Sequence, residues 1–516
     1  MKRWFYSGVI FFVSQNIFAQ SPTFSNDVAP IIFNYCTNCH RSGNIAPFPL
    51  TTYDEVAGAA FSMLSAINNK KMPPWMPDPN YSHFINERVL NEVEIQLIND
   101  WVSNGMPEGD SVLTSDLPIF YEGSEIGVPD IQFELPHFTK SIAADEYRCF
   151  VVSTGFAQDV FIKSFEFLPG NKLMDHHAEI FWDTTGTCQQ LDLLDSLPGY
   201  LSAGGNIGSD YAQLLFTWVP GTSPFILPED FAFKIPAGAD IVIQLHYAPG
   251  TQGLTDSSEL NLFYSFQPQV RVLKTIIANH LDNDLQNGPF IIPPDSIKTF
   301  HAVDTLTRKI SFLGVMPHMH LLGDHTITYA VSPSNDTLKI ISIPFWNFKW
   351  QSAYMFQKIL VSDSGSVFHT ESTYNNTSFN LSNPFYPPQT VNAGFGINSE
   401  MMLSAYYYVN YKVGDENIFL NSINDSLDED KKYFTIFPNP SNGNFVLKSD
   451  YIKAQKISVL VLNVQGVVVK SLFDNVVLGD GNQIQFCDLD DLPAGMYFLK
   501  ISSDSLNEIK RIVVFH

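Results

Sequence analysis

Basic residues are scarce in this chain of 516 residues: 29 Lys and Arg stand against 53 Asp and Glu, a formal net charge of −24. A surface so short of cations cannot neutralise a phosphate backbone, which excludes nucleic acid as a partner. Charge of either sign is sparse, at 16% of residues against 45% hydrophobic. That balance excludes wholesale disorder, because ample apolar surface is available for burial. No stretch after the N-terminal region reaches the ~18 uninterrupted apolar residues that a membrane-spanning helix needs. No internal repeat of solenoid length is visible. Cysteine is rare as well, five in all, with two of them in one short motif. Cysteine here therefore serves chemistry more than stapling.

What the chain does have is turn-formers and aromatics: 42 Phe, 21 Tyr, 30 Gly and 32 Pro. These favour strands and tight turns, so a large, mainly β, multidomain protein is expected. At roughly 150 residues per domain, the length predicts three or four domains. Residues 1–19 have the layout of a secretory signal peptide: Lys2 and Arg3, an apolar run over Val9–Val13, then Ala19 before the expected cut. The mature protein is expected outside the cytoplasm.

Residues 20–110 carry helical periodicity, with Val89, Leu90, Val93, Leu97, Ile98, Trp101 and Val102 recurring before Gly105. Residues 111–127 read as a linker. Residues 128–420 alternate and are punctuated by turns; in Asp240–Tyr247, Ile241, Ile243 and Leu245 face one way and Val242, Gln244 and His246 the other. That length suits two sandwiches, 128–285 and 286–420. A hydrophilic break at 421–432 precedes a small β module, 433–516, with strands expected at Phe445–Leu447, Ile457–Leu462, Val467–Lys470, Tyr497–Ile501 and Ile512–Phe515.

Cys36-Thr-Asn-Cys39-His40 is the strongest short motif. Two thiols at this spacing can add to the vinyl groups of a haem, and the adjoining His40 then ligates the iron. A redox dithiol would need a βαβ context, and a zinc site a downstream His pair; neither is present. The expectation is a c-type haem on Cys36, Cys39 and His40. Lys71-Met72-Pro73-Pro74 resembles the loop that supplies the thioether ligand in c-type cytochromes, so Met72 is the expected sixth ligand, with Met76 and Met63 as competitors. Each of these methionines could instead be ordinary core. The segment as a whole resembles a compact bacterial cytochrome c module, a small α-helical domain.

Three histidine settings follow in the β region. His176 and His177 are neighbours, and neighbours on an ideal strand point to opposite faces; one metal could use both only at a bulge or strand end, and a buried structural pair is the competing reading. His246 ends an alternating strand, where a lone His is commonly core or surface. His318 and His320, spaced i and i+2, can share a face and reach one ion. A later Glu400-Met401 could add a thioether, and thioether with imidazole selects soft Cu(I), although a lone Met is by default core.

The order His-His, strand-borne His-Tyr, His-x-His-Leu-x-Gly, then Glu-Met resembles the copper type II, ascorbate-dependent monooxygenases, whose familiar members are peptidylglycine α-hydroxylating monooxygenase and dopamine β-hydroxylase. The resemblance covers roughly residues 128–415. It implies two jelly-roll-like β-sandwich domains facing each other across a cleft, each with one copper. His176, His177 and His246 match the ligands of the electron-transfer copper; His318, His320 and Met401 match those of the copper that activates O₂. The implied reaction is hydroxylation of a C–H bond, with single electrons from ascorbate or a redox protein. Cys149 and Cys188 fall where the family places a disulfide and are expected to pair, free buried thiols being the alternative. One departure matters: where the peptide-amidating members have a carboxylate-anchoring Arg this chain has Met316, and their assisting Asn and Tyr are Leu403 and Ala405 here. A charge-assisted anchor is thereby lost, which argues against a peptide ending in glycine as substrate.

The C-terminal module, with Phe437-Pro-Asn-Pro, Asn463-Val-Gln-Gly466 and Pro493-Ala-Gly-Met-Tyr-Phe498, resembles the sorting domain of type IX secretion; an adhesive or carbohydrate-binding β-sandwich is the bland alternative. The resemblance implies the type IX machinery as a partner and the outside of the cell as destination. The expected protein is thus a secreted or surface-attached, haem-containing copper monooxygenase acting on a small organic or peptide substrate. The alternative is a cytochrome electron carrier whose β core binds copper without O₂ chemistry, or merely scaffolds; simple copper scavenging is a third reading.

Overall fold

In the computed structural model, residues 21–516 are described except 119, 121–122, 203–205, 268, 280–284, 395, 421–433, 438–440, 442, 450–454, 464–467, 479–482, 503–506 and 516. The expected signal peptide and the 421–432 break lie outside the described residues. The molecule is mainly β, with four α-helices among the described residues. It divides into two compact units, 1–422 and 423–516.

Three helices open the first unit: α1 (Ala29–Tyr35), α2 (Tyr53–Asn68) and α3 (Glu92–Ser103). Both longer helices start at a capping box, Thr52 with Glu55 and Asn91 with Glu94. Each box satisfies N–H groups that a first helical turn leaves bare. The Asn91 cap explains why α3 begins later than its apolar periodicity, which runs back to Val89. Val56, Ala60, Met63 and Ile67 of α2 meet Ile98, Trp101 and Val102 of α3 and Ile31 and Ile32 of α1 in one buried cluster.

The segment between α2 and α3 leaves that cluster and joins the β region. Phe84 bridges to Phe356, and the Ile85 N–H donates to the Met355 carbonyl at 2.8 Å. Met76 and Phe84 are buried among Phe312, Tyr354 and Phe356. The helical part is thus stitched into the β part by main-chain bonds.

The first β layer pair joins two five-stranded sheets. One is built on β1 (Glu146–Ser153), β2 (Asp175–Asp183), β3 (Gln213–Trp218) and β4 (Asp240–Tyr247), in the order Tyr200–Ser202, β1, β4, β2, β3. Central β4 is buried on both faces: Ile241, Ile243 and Leu245 in the main core, Val242 in a smaller cluster with Cys149, Cys188 and Tyr200. Its expected alternation is therefore between two interiors. The short helix α4 (Thr187–Leu194) brings Cys188 to that second interior.

Two four-stranded sheets follow, with β5 (Ser296–Thr305), β6 (Ile310–His318), β7 (Gly323–Val331), β8 (Val367–Asn376) and β9 (Leu403–Asn410). One has the order Lys274–Asn279, β9, β6, Tyr354–Ser362; the other β5, β8, β7, Thr337–Ile343. Leu313 of β6 and Tyr407 and Val409 of β9 share the core of the preceding sheets, so the two β regions are joined by buried side chains.

The second unit holds a three-stranded sheet (Phe434–Phe437, Asn444–Ser449, Gln483–Asp488) and a four-stranded one (Val468–Leu478, Gln455–Leu462, Gly495–Ser502, Asn507–Val514). Phe434, Leu447, Ile457, Val459, Leu499, Ile501 and Ile512 form its own buried core.

Candidate metal centre

The neighbouring pair His176 and His177 sits at a strand irregularity. Asp175 pairs with Tyr247 and His177 with His246, so the β2–β4 register slips at His176. A bulge turns one extra side chain onto a face that strict alternation would deny it. His176, His177 and His246 consequently converge, with one nitrogen from each within 4.8 Å of the others. Their Nδ1 atoms are 3.3 Å apart for His176–His177 and again 3.3 Å for His177–His246.

Those separations suit a shared ion: bonds of ~2.0–2.1 Å at tetrahedral angles leave ligand nitrogens about 3.3 Å apart. Imidazoles bind metal only when neutral. Burial, then His246 and Lys349, hold His176 down at about 4. Burial followed by the two companion imidazoles puts His177 well below its ordinary value. The donor set therefore fits copper or zinc. His246 turns its other nitrogen to Asp145 Oδ1 at 2.8 Å, and the Tyr147 ring stacks on it at 4.3 Å. A carboxylate behind a ligand imidazole fixes its tautomer and raises its basicity.

The second set is assembled differently. β6 ends at His318, and His320 lies in the loop beyond, yet the rings meet with centroids 5.0 Å apart. Glu400 holds that loop: its buried carboxylate accepts the His320 N–H at 2.9 Å, the Leu322 N–H at 2.6 Å and the Met401 N–H at 3.2 Å. His320 Nδ1 donates to the Ser399 carbonyl at 2.8 Å, so Nε2 would be its ligating atom. Burial, then His320, lowers His318 to about 3, against the Gln351 side chain, which favours the protonated ring. Met401 is buried next to Glu400, and its carbonyl accepts from the Tyr374 hydroxyl at 2.7 Å. Two imidazoles and a thioether are a donor set that fits a soft ion, and Glu400 ties the Met401 main chain to the His320 loop.

His177 of the first set and His318 and His320 of the second line one open pocket. His177, Glu179, Thr217, Trp218 and Tyr147 come from the first β region; Met316, His318, His320, Phe348 and Gln351 come from the second. Glu179 is the acid of this lining, raised to about 7 by burial. Thr217 Oγ1 is buried without a partner.

The Cys-x-x-Cys-His motif follows α1. His40 Nδ1 donates to the Phe48 carbonyl at 2.9 Å, leaving Nε2 as the donor atom; burial lowers its affinity for a proton, against that hydrogen bond. Cys36 and Cys39 are half-buried. This set fits haem attachment. Met72 lies at the surface, 40% exposed; Met63 is buried in the helical cluster, and Met76 Sδ accepts the Asn347 N–H at 3.3 Å.

The expected disulfide is not formed. Cys149 and Cys188 share a buried cluster, but as free thiols. Cys149 Sγ donates to Ser202 Oγ at 3.4 Å and accepts from Gln244 Nε2 at 3.6 Å, while Cys188 Sγ donates to the Ile207 carbonyl at 3.4 Å. Each thiol is engaged by polar neighbours instead of its expected partner.

Asp145, Ser399, Gln351 and Glu179 carry no motif that marks them in the sequence, and the Glu-Met pair drew notice to Glu400 only through its neighbour's thioether. Asp145 meets His246 only because β1 and β4 pair, and Glu400 meets His320 across 80 residues. A lone acid just before a strand gives no local signal for such work.

Residues 435–515 match the family described as the secretion system C-terminal sorting domain. A sorting domain of this type IX kind directs the chain to secretion and the cell surface. Dopamine beta-hydroxylase of Bos taurus is 24% identical over 262 residues, 46% of this chain and 39% of that protein. The chain thus spans about two-fifths of the curated relative it matches. Among solved structures, PNGF-II matches with TM-score 0.25 and 11% identity over 55% of this chain and 65% of that one. A β-glucuronidase from Ruminococcus gnavus matches with TM-score 0.13 and 9% identity over 49% of this chain and 46% of that one.

Proposed function

We propose that the exported chain is a copper-dependent monooxygenase that hydroxylates a C–H bond with O₂, with a c-type haem as its electron donor. The observation that carries this reading is that His177, from the converging set His176–His177–His246, lines one pocket together with His318 and His320. Copper bound by the first set and by His318, His320 and Met401 would supply one-electron redox chemistry and O₂ activation, and haem on Cys36, Cys39 and His40 would supply single electrons.

The chain's own residues prepare that chemistry. Burial keeps His176, His177 and His318 neutral, so they can ligate without first losing a proton. Asp145 and the Ser399 carbonyl orient the imidazoles of His246 and His320. Trp218, Phe348 and Ile397 give the cavity apolar walls that exclude water from a bound substrate. Glu179, Thr217, Gln351 and Tyr147 are polar groups of the lining that a substrate would meet, and no Arg or Lys lines the pocket among the described residues. This lining supports a substrate with a hydrogen-bonding or cationic group over one with a carboxylate, in keeping with Met316 at its edge.

The haem motif lies against the first β region. Arg88 Nη1 donates to the Gly221 carbonyl at 2.8 Å, and a Cβ at Gly221 would come within 3.1 Å of Cys39 Sγ. Gly221 follows the end of β3 by three residues, and Trp218 there pairs with Ala178, beside His177. This short connection supports the haem as donor.

The test is metal content and turnover on protein matured in the periplasm. Two coppers and one iron per chain are expected, with O₂-dependent hydroxylation in a substrate screen. Met401→Ala should abolish hydroxylation and leave the haem spectrum intact. Iron without copper after reconstitution would overturn the proposal and make the chain an electron carrier on a β scaffold.

A further inference from the structure

A second group of imidazoles lies on the outward face of the sheet formed by β5, β8 and β7. In register, His301 of β5 lies opposite Glu371 of β8, and Tyr329 of β7 lies opposite His369 of β8. His369 and Glu371 are two residues apart, so all four side chains share one face. Their alternating neighbours Phe300, Ala302, Phe368 and Thr370 are buried, which makes this face the outer one.

The contacts within the group are close. His301 Nε2 and His369 Nδ1 are 3.0 Å apart. The Tyr329 ring stacks on His369 at 4.9 Å between centroids, and its hydroxyl donates to Glu371 Oε1 at 3.0 Å. Tyr81, from the segment between α2 and α3, closes one side with its hydroxyl donating to the Thr328 carbonyl at 3.4 Å. Burial, then Tyr329 and Glu371, push that hydroxyl up to about 12.

Two imidazole nitrogens at this distance share a single proton. A late first-row divalent ion in its place needs the nitrogens about 3.3 Å apart, given bonds of ~2.0–2.1 Å. The strands need open by only a few tenths of an ångström. We propose that His301, His369 and Glu371 form a separate binding site for such a cation, zinc foremost, with Glu371 turning from Tyr329 to complete the set and water filling the remaining position. Burial, then His301, lowers the proton affinity of His369 against the pull of Glu371, so this imidazole is a ready ligand. A chain of net charge −24 also concentrates cations at its surface. The ion would clamp β5 to β8 outside the cavity, independently of the proposed reaction.

Equilibrium dialysis of the full chain against Zn²⁺, read by elemental mass spectrometry, tests this. His301→Ala and His369→Ala should each bind one zinc fewer per chain than the parent, and Glu371→Gln should bind it about tenfold more weakly. Zinc taken up by His176, His177 and His246 cancels in the comparison, so failure of the copper reading leaves this difference unchanged. Equal zinc uptake by the parent and both histidine variants would overturn the proposal. Far-UV circular dichroism checks each fold; should an alanine variant unfold, Glu371→Gln, which keeps the side chain's shape, decides by the same comparison, and unweakened binding there would overturn the site as proposed.

Discussion

At the scale of the residue, the candidate centre depends on groups that touch no ligand position themselves. Asp145 is the clearest: its carboxylate sits 2.8 Å from the nitrogen of His246 that faces away from the cluster. Asp145→Asn keeps the size and loses the charge that fixes the imidazole. Copper affinity at the three-histidine set should fall roughly 10–100-fold, measured by competition with a chelator of known affinity. An unchanged affinity would show that His246 needs no such support. Glu400 works on the main chain, accepting three N–H groups that would otherwise be buried without partners. Glu400→Gln replaces one acceptor oxygen by a donor, and we expect a loss of roughly 1–3 kcal/mol in urea unfolding.

At the scale of the element, the ends and irregularities of strands matter more than their regular middles. The alternation along Asp240–Tyr247 was readable from residue periodicity. The bulge at His176 was not, because a register slip depends on how β4 lies beside β2. Likewise His320 reaches His318 through a loop held by Glu400, a distant residue, where simple alternation predicts a shared strand face. A similar tie joins the two β regions: Arg271 Nη1 donates to Asp415 Oδ1 at 2.6 Å, and Ser311 Oγ donates to Oδ2 at 2.6 Å. Burial alone would raise the Asp415 carboxyl, but these donors prevail and hold it below 3.8, its ordinary value. A depressed folded value means stability that is fully present above the unfolded value and lost as pH falls through the folded one. Asp415→Asn should therefore be less stable than the parent at pH 6 and approach it as the pH falls below the ordinary value of 3.8, followed by thermal melts across that range. A gap that persists undiminished in acid would contradict the ion pair's role.

At the scale of the molecule, the unit spanning 423–516 has its own two sheets and its own buried core, which shares no residue with the others. A chain ending at residue 422 should keep the metal content and melting temperature of the first unit while failing to reach the cell surface, scored by fractionation. Loss of metal on truncation would show that the first unit depends on the second. The helical segment behaves in the opposite way. Its main-chain bonds at Ile85 and Gln357 and the burial of Met76 and Phe84 tie it to the β region.

What the sequence determined by itself is whatever spacing encodes. The Cys-x-x-Cys-His motif, the order of the histidines, the β character and the sorting domain are all local patterns along the chain. Tertiary structure decided what depends on distant segments meeting. It brought three histidines within 4.8 Å, placed His177, His318 and His320 around one pocket, and set Asp145 and Glu400 behind them. It also kept Cys149 and Cys188 apart as thiols and paired His301 with His369 across two strands. Side-chain identity is written along the chain, whereas register, bulges and the packing of one sheet on another arise only when strands far apart in sequence compete for the same partners and the same core.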